Sequence, residues 1–171
     1  GQPHLLLKRA WERHEPYGVV AVVSPWNVPF AIPFTITATA IAAGNAVVLK
    51  PSDTTPVTTV RMAEIIAETG VLPDGVFNVV CGDRDTGRAL VENKIPAMVA
   101  ITGSVRAGMQ VAESASRDVK RVHLELGGKG ANIVFPDADL DKAAAAAAWA
   151  VTYNAGQMCT AGSRLVVHES V

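Results

Sequence analysis

Short, nearly continuous apolar runs recur along this chain, each closed by Pro or Gly and most followed by a segment with helical spacing. That alternation leaves few folds open. Strands buried on both faces read as unbroken hydrophobic runs, and helices between them connect parallel neighbours. The first run is Gly18 to Ser24 (GVVAVVS), ended by Pro25. Phe30 to Ala43 then predicts a helix that stops at Gly44-Asn45, before a second strand at Ala46 to Lys50. Thr58 to Thr69 places Val60, Ala63, Ile66 and Ala67 at helical spacing and stops at Gly70. Further strands are predicted at Val76 to Val80, Ala97 to Ile101, Arg121 to Leu126, Ala131 to Phe135 and Arg164 to His168. Helices are predicted at Thr86 to Asn93, Val105 to Ser116 and Asp139 to Ala155, the last with Asp at the positive end of its dipole. The pattern is α/β: a Rossmann-like parallel sheet with helices on both faces. Residues 1–17 are polar and charged (KRAWERHEP) and read as an extended arm or an edge ribbon.

Composition narrows the partners. At 171 residues the chain suits roughly one domain, and 49% hydrophobic against 18% charged residues supplies a packed core. A net charge of −1 without clustered Lys and Arg argues against nucleic acid or an anionic membrane. The longest apolar stretch, Ala143 to Val151, falls short of the about 20 residues that cross a bilayer. The two cysteines, Cys81 and Cys159, form no C-x-x-C pair, so neither a disulfide framework nor a metal site is expected. Gly1 to Arg9 lacks the layout of a secretory signal, and a cytoplasmic setting is expected.

Five segments carry chemistry. Pro25-Trp26-Asn27 follows the first strand, where doubly wound sheets bind ligands, and Asn27 offers an amide donor. It is also a turn with a packed Trp. Lys50-Pro51-Ser52-Asp53 follows the second strand. Lys50 and Asp53 suit a ribose diol, Asp53 repels a 2′-phosphate, and Ser52 or Asp53 equally serves as a helix N-cap. Gly103-Ser104-x-x-x-Gly108 puts glycine and a helix N-terminus where a phosphate could approach, or simply makes a tight turn. Glu125-Leu126-Gly127-Gly128-Lys129 places a carboxylate at the end of a strand expected to be buried. Burial suits a general base, and pairing with Lys129 or Arg121 is the alternative. Asn154 to Arg164 holds Cys159 just past a helix among glycines, an accessible thiol candidate. Cys81, at the end of an apolar strand, is expected to be a buried apolar residue.

Together, in this order and spacing, these segments resemble the P-W-N, K-P-S-[DE], G-S-x-x-x-G, E-L-G-G-K and G-Q-x-C segments of the aldehyde dehydrogenase superfamily. The resemblance covers about Arg13 to Val171. It implies oxidation of a small-molecule aldehyde to a carboxylic acid with NAD, through a cysteine thiohemiacetal and thioester. It implies Cys159 as nucleophile, Glu125 as general base, and Asn27 with the Cys159 N–H as oxyanion hole. Lys50 and Asp53, beside Ser52, would hold the adenine ribose. Gly103, Ser104 and Gly108 would face the pyrophosphate, and Trp26, Gly82 and Leu126 would give backbone or wall contacts. It also implies an oligomerisation ribbon at residues 1–17, an NAD-binding domain at 18–126, the start of a catalytic domain at 127–171, and a homo-oligomer. Members of the family are much longer, so the chain reads as a central piece. The rival reading is a catalytically inactive fragment that only binds a nucleotide.

Overall fold

A computed structural model describes residues 11–171. Five parallel strands form the main sheet: β1 (Val19–Val23), β2 (Ala46–Lys50), β3 (Phe77–Val79), β4 (Met98–Gly103) and β5 (Arg121–Leu126), in the order β3-β2-β1-β4-β5. The chain winds outward from β1 through β2 to β3, then crosses back to lay β4 on the other side of β1. Four helices make the connections: α1 (Ala31–Ala42), α2 (Val57–Thr69), α3 (Arg84–Glu92) and α4 (Val105–Ser116).

Strand alternation sorts the helices onto two faces. Val20 and Val22 of β1, Val47 and Leu49 of β2 and Ala100 of β4 point to one face, where Ile36, Ala40 and Ile41 of α1 and Met62 and Ile66 of α2 cover them. Ala21 and Val99 point to the other, under Leu90 and Val91 of α3 and Val111 of α4. The helices change face where the winding reverses, between β1 and β4. In open α/β sheets that switch point opens a crevice beyond the carboxyl ends of the strands. Leu49 and Val22 are completely buried, and truncating such a residue to Ala costs about 2–5 kcal/mol.

β5 departs from expectation. It lies at the sheet edge, and α4 covers only its even-numbered face. Arg121, His123 and Glu125 share the opposite face and are exposed, with no helix above them. A second, two-stranded parallel sheet follows, from β6 (Ala131–Val134) and β7 (Arg164–Val167). These strands do not extend the first sheet. Between them runs α5 (Leu140–Thr152), capped by the Asp139 carboxylate, which accepts from the Lys142 N–H. This contact, with the Lys142 side chain, holds the Asp139 carboxyl below the ordinary carboxylate range. Of the expected arm, residues 1–10 lie outside the described residues. Residues 11–17 have no regular structure and are exposed.

Candidate active site

The motif segments gather at the carboxyl edge of the main sheet. Beyond β1, the Trp26-Asn27 loop is tied to the segment holding Cys159. Asn27 Nδ2 donates to the Gln157 carbonyl at 2.6 Å, and Asn154 Nδ2 donates to the Asn27 carbonyl at 3.2 Å. The chain reaches this position by a sharp reversal. α5 ends in a 3₁₀ turn at 153–156, in which Asn154 and Ala155 have φ of 51° and 56°, followed by Gly156 at 75°. Asn tolerates the left-handed region, whereas Ala does not adopt it without strain. The reversal swings Gln157, Met158 and Cys159 back toward Asn27. The Cys159 thiol is free and exposed.

Glu125 lies one residue before the end of β5, paired in register with Thr102 of β4. Contrary to expectation it is exposed, because the edge strand carries no helix on that face. His123, two residues back on the same face, has its Nε2 3.7 Å from Glu125 Oε1. Pairing with Lys129 or Arg121 is absent among the described ion pairs. Cys81 also departs from expectation: it is exposed. It lies two residues past the end of β3, the opposite edge strand, beside Pro56, Val57 and Val60 at the start of α2.

A cleft of about 440 Å³ opens between α3 and α4 at the switch point, lined from the sheet by Val23, Lys50 and Ile101. Lys50 is buried along most of its length. Asp83, which also lines the cleft, caps α3 by accepting from the Asp85 and Thr86 N–H groups. The Thr86 bond, then the Asp85 bond, and lastly the Lys50 charge hold its carboxyl below the usual range. Arg84 Nη2 donates to Gln110 Oε1 at 3.1 Å, bridging α3 to α4. Ser104 caps α4, its Oγ accepting from the Ala107 N–H. Deeper in, the Ser114 hydroxyl is buried without a partner. A crevice lined by Arg84, Arg88, Arg106 and Arg117, with the first turn of α4 at its wall and an orphaned hydroxyl within, suits a phosphate-bearing nucleotide.

The other expected contacts lie elsewhere. Ser52 and Asp53 do not cap α2, which starts only after Pro56. Ser52 Oγ instead accepts from the Thr54 N–H and donates to Asp53 Oδ1 at 3.4 Å, in an exposed loop outside the cleft lining. The Trp26 carbonyl accepts from Thr55 Oγ1, which ties that loop to the residues before α2. Gly103 ends β4, where a Cβ would meet only the Ile101 side chain, at 3.9 Å. Gly108 is buried in α4 and faces the sheet: a Cβ there would come within 2.6 Å of the Leu126 side chain. Its part is to let α4 sit close to β5, with Leu126 packed over it. Gly82, at φ 155°, would bring a Cβ to 2.1 Å from Thr86 Oγ1, so the turn into α3 admits no side chain.

Gly108→Val should therefore destabilise the fold by about 1–3 kcal/mol through overpacking against Leu126. Thermal melting checks this; an unchanged midpoint would mean that α4 can lift off the sheet freely.

Sequence reasoning missed Asp83, Arg84, Gln110 and Ser114 as cleft residues. Asp83 was visible as an N-cap residue just before a helix. The others lie on helix faces whose neighbours only the sheet order reveals. Among the described residues, no group of three or more His, Cys, Asp or Glu is placed to hold a metal, and no helix is long and apolar enough to cross a membrane.

Known proteins share this arrangement. Phenylacetaldehyde dehydrogenase of Pseudomonas fluorescens is 49% identical over 164 residues, 95% of this chain and 32% of that protein. The 3,6-anhydro-alpha-L-galactose dehydrogenase of Streptomyces coelicolor is 50% identical over 157 residues, 91% of this chain and 32% of that protein. Among solved structures, an NAD-dependent aldehyde dehydrogenase from Sinorhizobium meliloti superposes with a TM-score of 0.88 at 53% identity, over 91% of this chain and 31% of that one. An indole-3-acetaldehyde dehydrogenase in complex with NAD+ gives 0.87 at 45% identity, over 91% of this chain and 32% of that one. The chain thus spans about a third of the length of the relatives it matches. The aldehyde dehydrogenase family model itself matches residues 7–171, from the arm through every segment described above, and the chain belongs to that family.

Proposed function

We propose that the complete protein carrying this sequence oxidises a small-molecule aldehyde to its carboxylic acid with NAD, using Cys159 as nucleophile. The observation that carries this reading is the pair of hydrogen bonds tying Asn27 to Gln157 and Asn154. They hold the Cys159 segment against the end of β1, although the two are more than a hundred residues apart in the chain. In this reading residues 18–126 bind the cofactor, residues 127–171 begin the catalytic part, and the first 17 residues serve oligomerisation.

Each group suits a step. The Cys159 thiolate adds to the aldehyde carbon, forming a C–S bond and an alkoxide. Asn27 Nδ2 has two hydrogens; one is given to Gln157, and the other, with the Cys159 N–H, is available to that alkoxide. NAD bound in the cleft supplies the hydride acceptor. Lys50, which lines the cleft, would hold its adenine ribose, with Asp53 of the loop past β2 reaching it from outside the lining, and the α4 N-terminus at Gly103 and Ser104 would meet its pyrophosphate. Glu125 then takes a proton from water as the water attacks the resulting thioester, releasing the acid and the Cys159 thiolate.

NADH formation from a panel of aldehydes tests the reading. NAD is expected to be preferred over NADP, because Asp53 opposes a 2′-phosphate. Repulsion at contact is on the order of 1 kcal/mol in water and a few kcal/mol at an effective dielectric near 20. Asp53→Ser should therefore raise kcat/KM for NADP by roughly tenfold. Equal use of both cofactors by the parent would remove Asp53 from the site. No aldehyde-dependent NADH with any member of the panel would contradict the proposal as a whole.

A further inference from the structure

Lys120 takes no part in the chemistry above, yet its side chain is only 2% exposed. Its Nζ donates to the carbonyls of Val91, in the last turn of α3, and Asn93, the residue that caps its C-terminus. Asp118 Oδ2 is 3.9 Å away. A cation at the C-terminal carbonyls of a helix is favourable. Burying a lysine is costly unless its donors are satisfied.

The turn that aims Lys120 inward is itself unusual. α4 closes with the Val119 N–H bonded to the Ser116 carbonyl and the Lys120 N–H bonded to the Ala115 carbonyl. This is the Schellman ending, in which glycine normally takes the left-handed position. Here that position is Val119, β-branched, 88% exposed and at φ 53°. Such strain persists only where the surroundings hold it in place. The ammonium locked under α3 is the holding contact.

Lys120 therefore joins the C-terminal ends of the two helices that bound the cleft. Val91 and Glu92 of α3, Ser114 of α4 and Arg117 just past it line that cleft. We infer that Lys120 is a positioning residue that fixes the width of the cleft where the ends of α3 and α4 line it, and with it the affinity for the purine half of the dinucleotide. The inference rests on the reading of the cleft as the cofactor site.

The test is the Kd for NADH, read by fluorescence in the complete protein, with kcat and KM for NAD alongside. Lys120→Met keeps the length of the side chain but leaves both carbonyls without a donor. Kd and KM should rise about tenfold, while kcat at saturating NAD stays within about twofold of the parent. Lys120→Arg keeps the charge, but its larger head cannot sit between the two carbonyls without moving α3, and Kd should rise by a smaller factor. An unchanged Kd in a folded Lys120→Met protein overturns the inference. If that variant does not fold, an unchanged Kd in Lys120→Arg overturns it instead. Lys50→Met separates the two claims. If it weakens NADH binding while the Lys120 variants do not, only the role of Lys120 falls. If none of them changes Kd, the cleft is not the cofactor site and both claims fall.

Discussion

Cys159→Ala is expected to lower aldehyde-dependent NADH formation by about 10⁴-fold or more, the scale on which loss of a covalent nucleophile is felt. Without the thiol, the Gln157 to Thr160 segment offers only the Thr160 hydroxyl, a far weaker nucleophile at neutral pH than a thiolate, to form the tetrahedral adduct from which hydride leaves. Folding should be unaffected. Cys159 is exposed and follows the strained turn without contributing to a core, so its melting temperature should match the parent. Cys81→Ser is the control. Cys81 is exposed as well, so accessibility does not distinguish the two thiols. Position does: Cys81 sits beside α2 past an edge strand, whereas Cys159 lies two residues past Gln157, whose carbonyl accepts from Asn27 at the end of the central strand. Cys81→Ser should keep full activity. A steady-state assay of both variants decides, and retained activity in Cys159→Ala would remove covalent catalysis at this residue.

Glu125→Gln should uncouple the two halves of the reaction. The glutamine keeps shape but cannot accept a proton, so the variant should release about one equivalent of NADH per site and then stall as the thioester. Loss of a general base typically slows the affected step by about 10²–10⁴-fold. In this chain Glu125 lies on the exposed face of β5, with His123 Nε2 3.7 Å from its carboxylate. If Glu125 also takes the proton from Cys159, the burst itself slows, and a pre-steady-state trace shows it. A Glu125→Gln enzyme turning over at the parent rate would make this carboxylate structural.

The legible part of this fold was local. α4 and β5 begin and end at the residues that the sequence pattern predicts, because Gly103-Ser104 and Gly127-Gly128 punctuate them. Period and punctuation do not tell an edge strand from a central one. RVHLEL reads as a buried strand, yet the sheet order leaves its odd-numbered face bare. The same edge effect exposes Cys81. Nor does periodicity say which sheet a strand joins, and β6 and β7 pair only with each other. The site was legible as segments, not as contacts. Asn27 and the cysteine loop both stand out in the sequence, but the hydrogen bonds joining them depend on three left-handed residues in a row, two of them not glycine. The cleft between α3 and α4 was not legible, because Ser114 and Lys120 acquire meaning only when α3 is placed beside α4.

Covalent attachment at Cys159 can be read directly. The complete protein with Glu125→Gln, mixed with NAD and an aldehyde that supports turnover in the parent, is quenched in acid and digested for peptide mass mapping. The account predicts an acyl group, in a stoichiometric fraction of the protein, on the peptide containing Cys159 and none on the peptide containing Cys81. An acyl group on Cys81, or NADH formed with both cysteines unmodified, would contradict it.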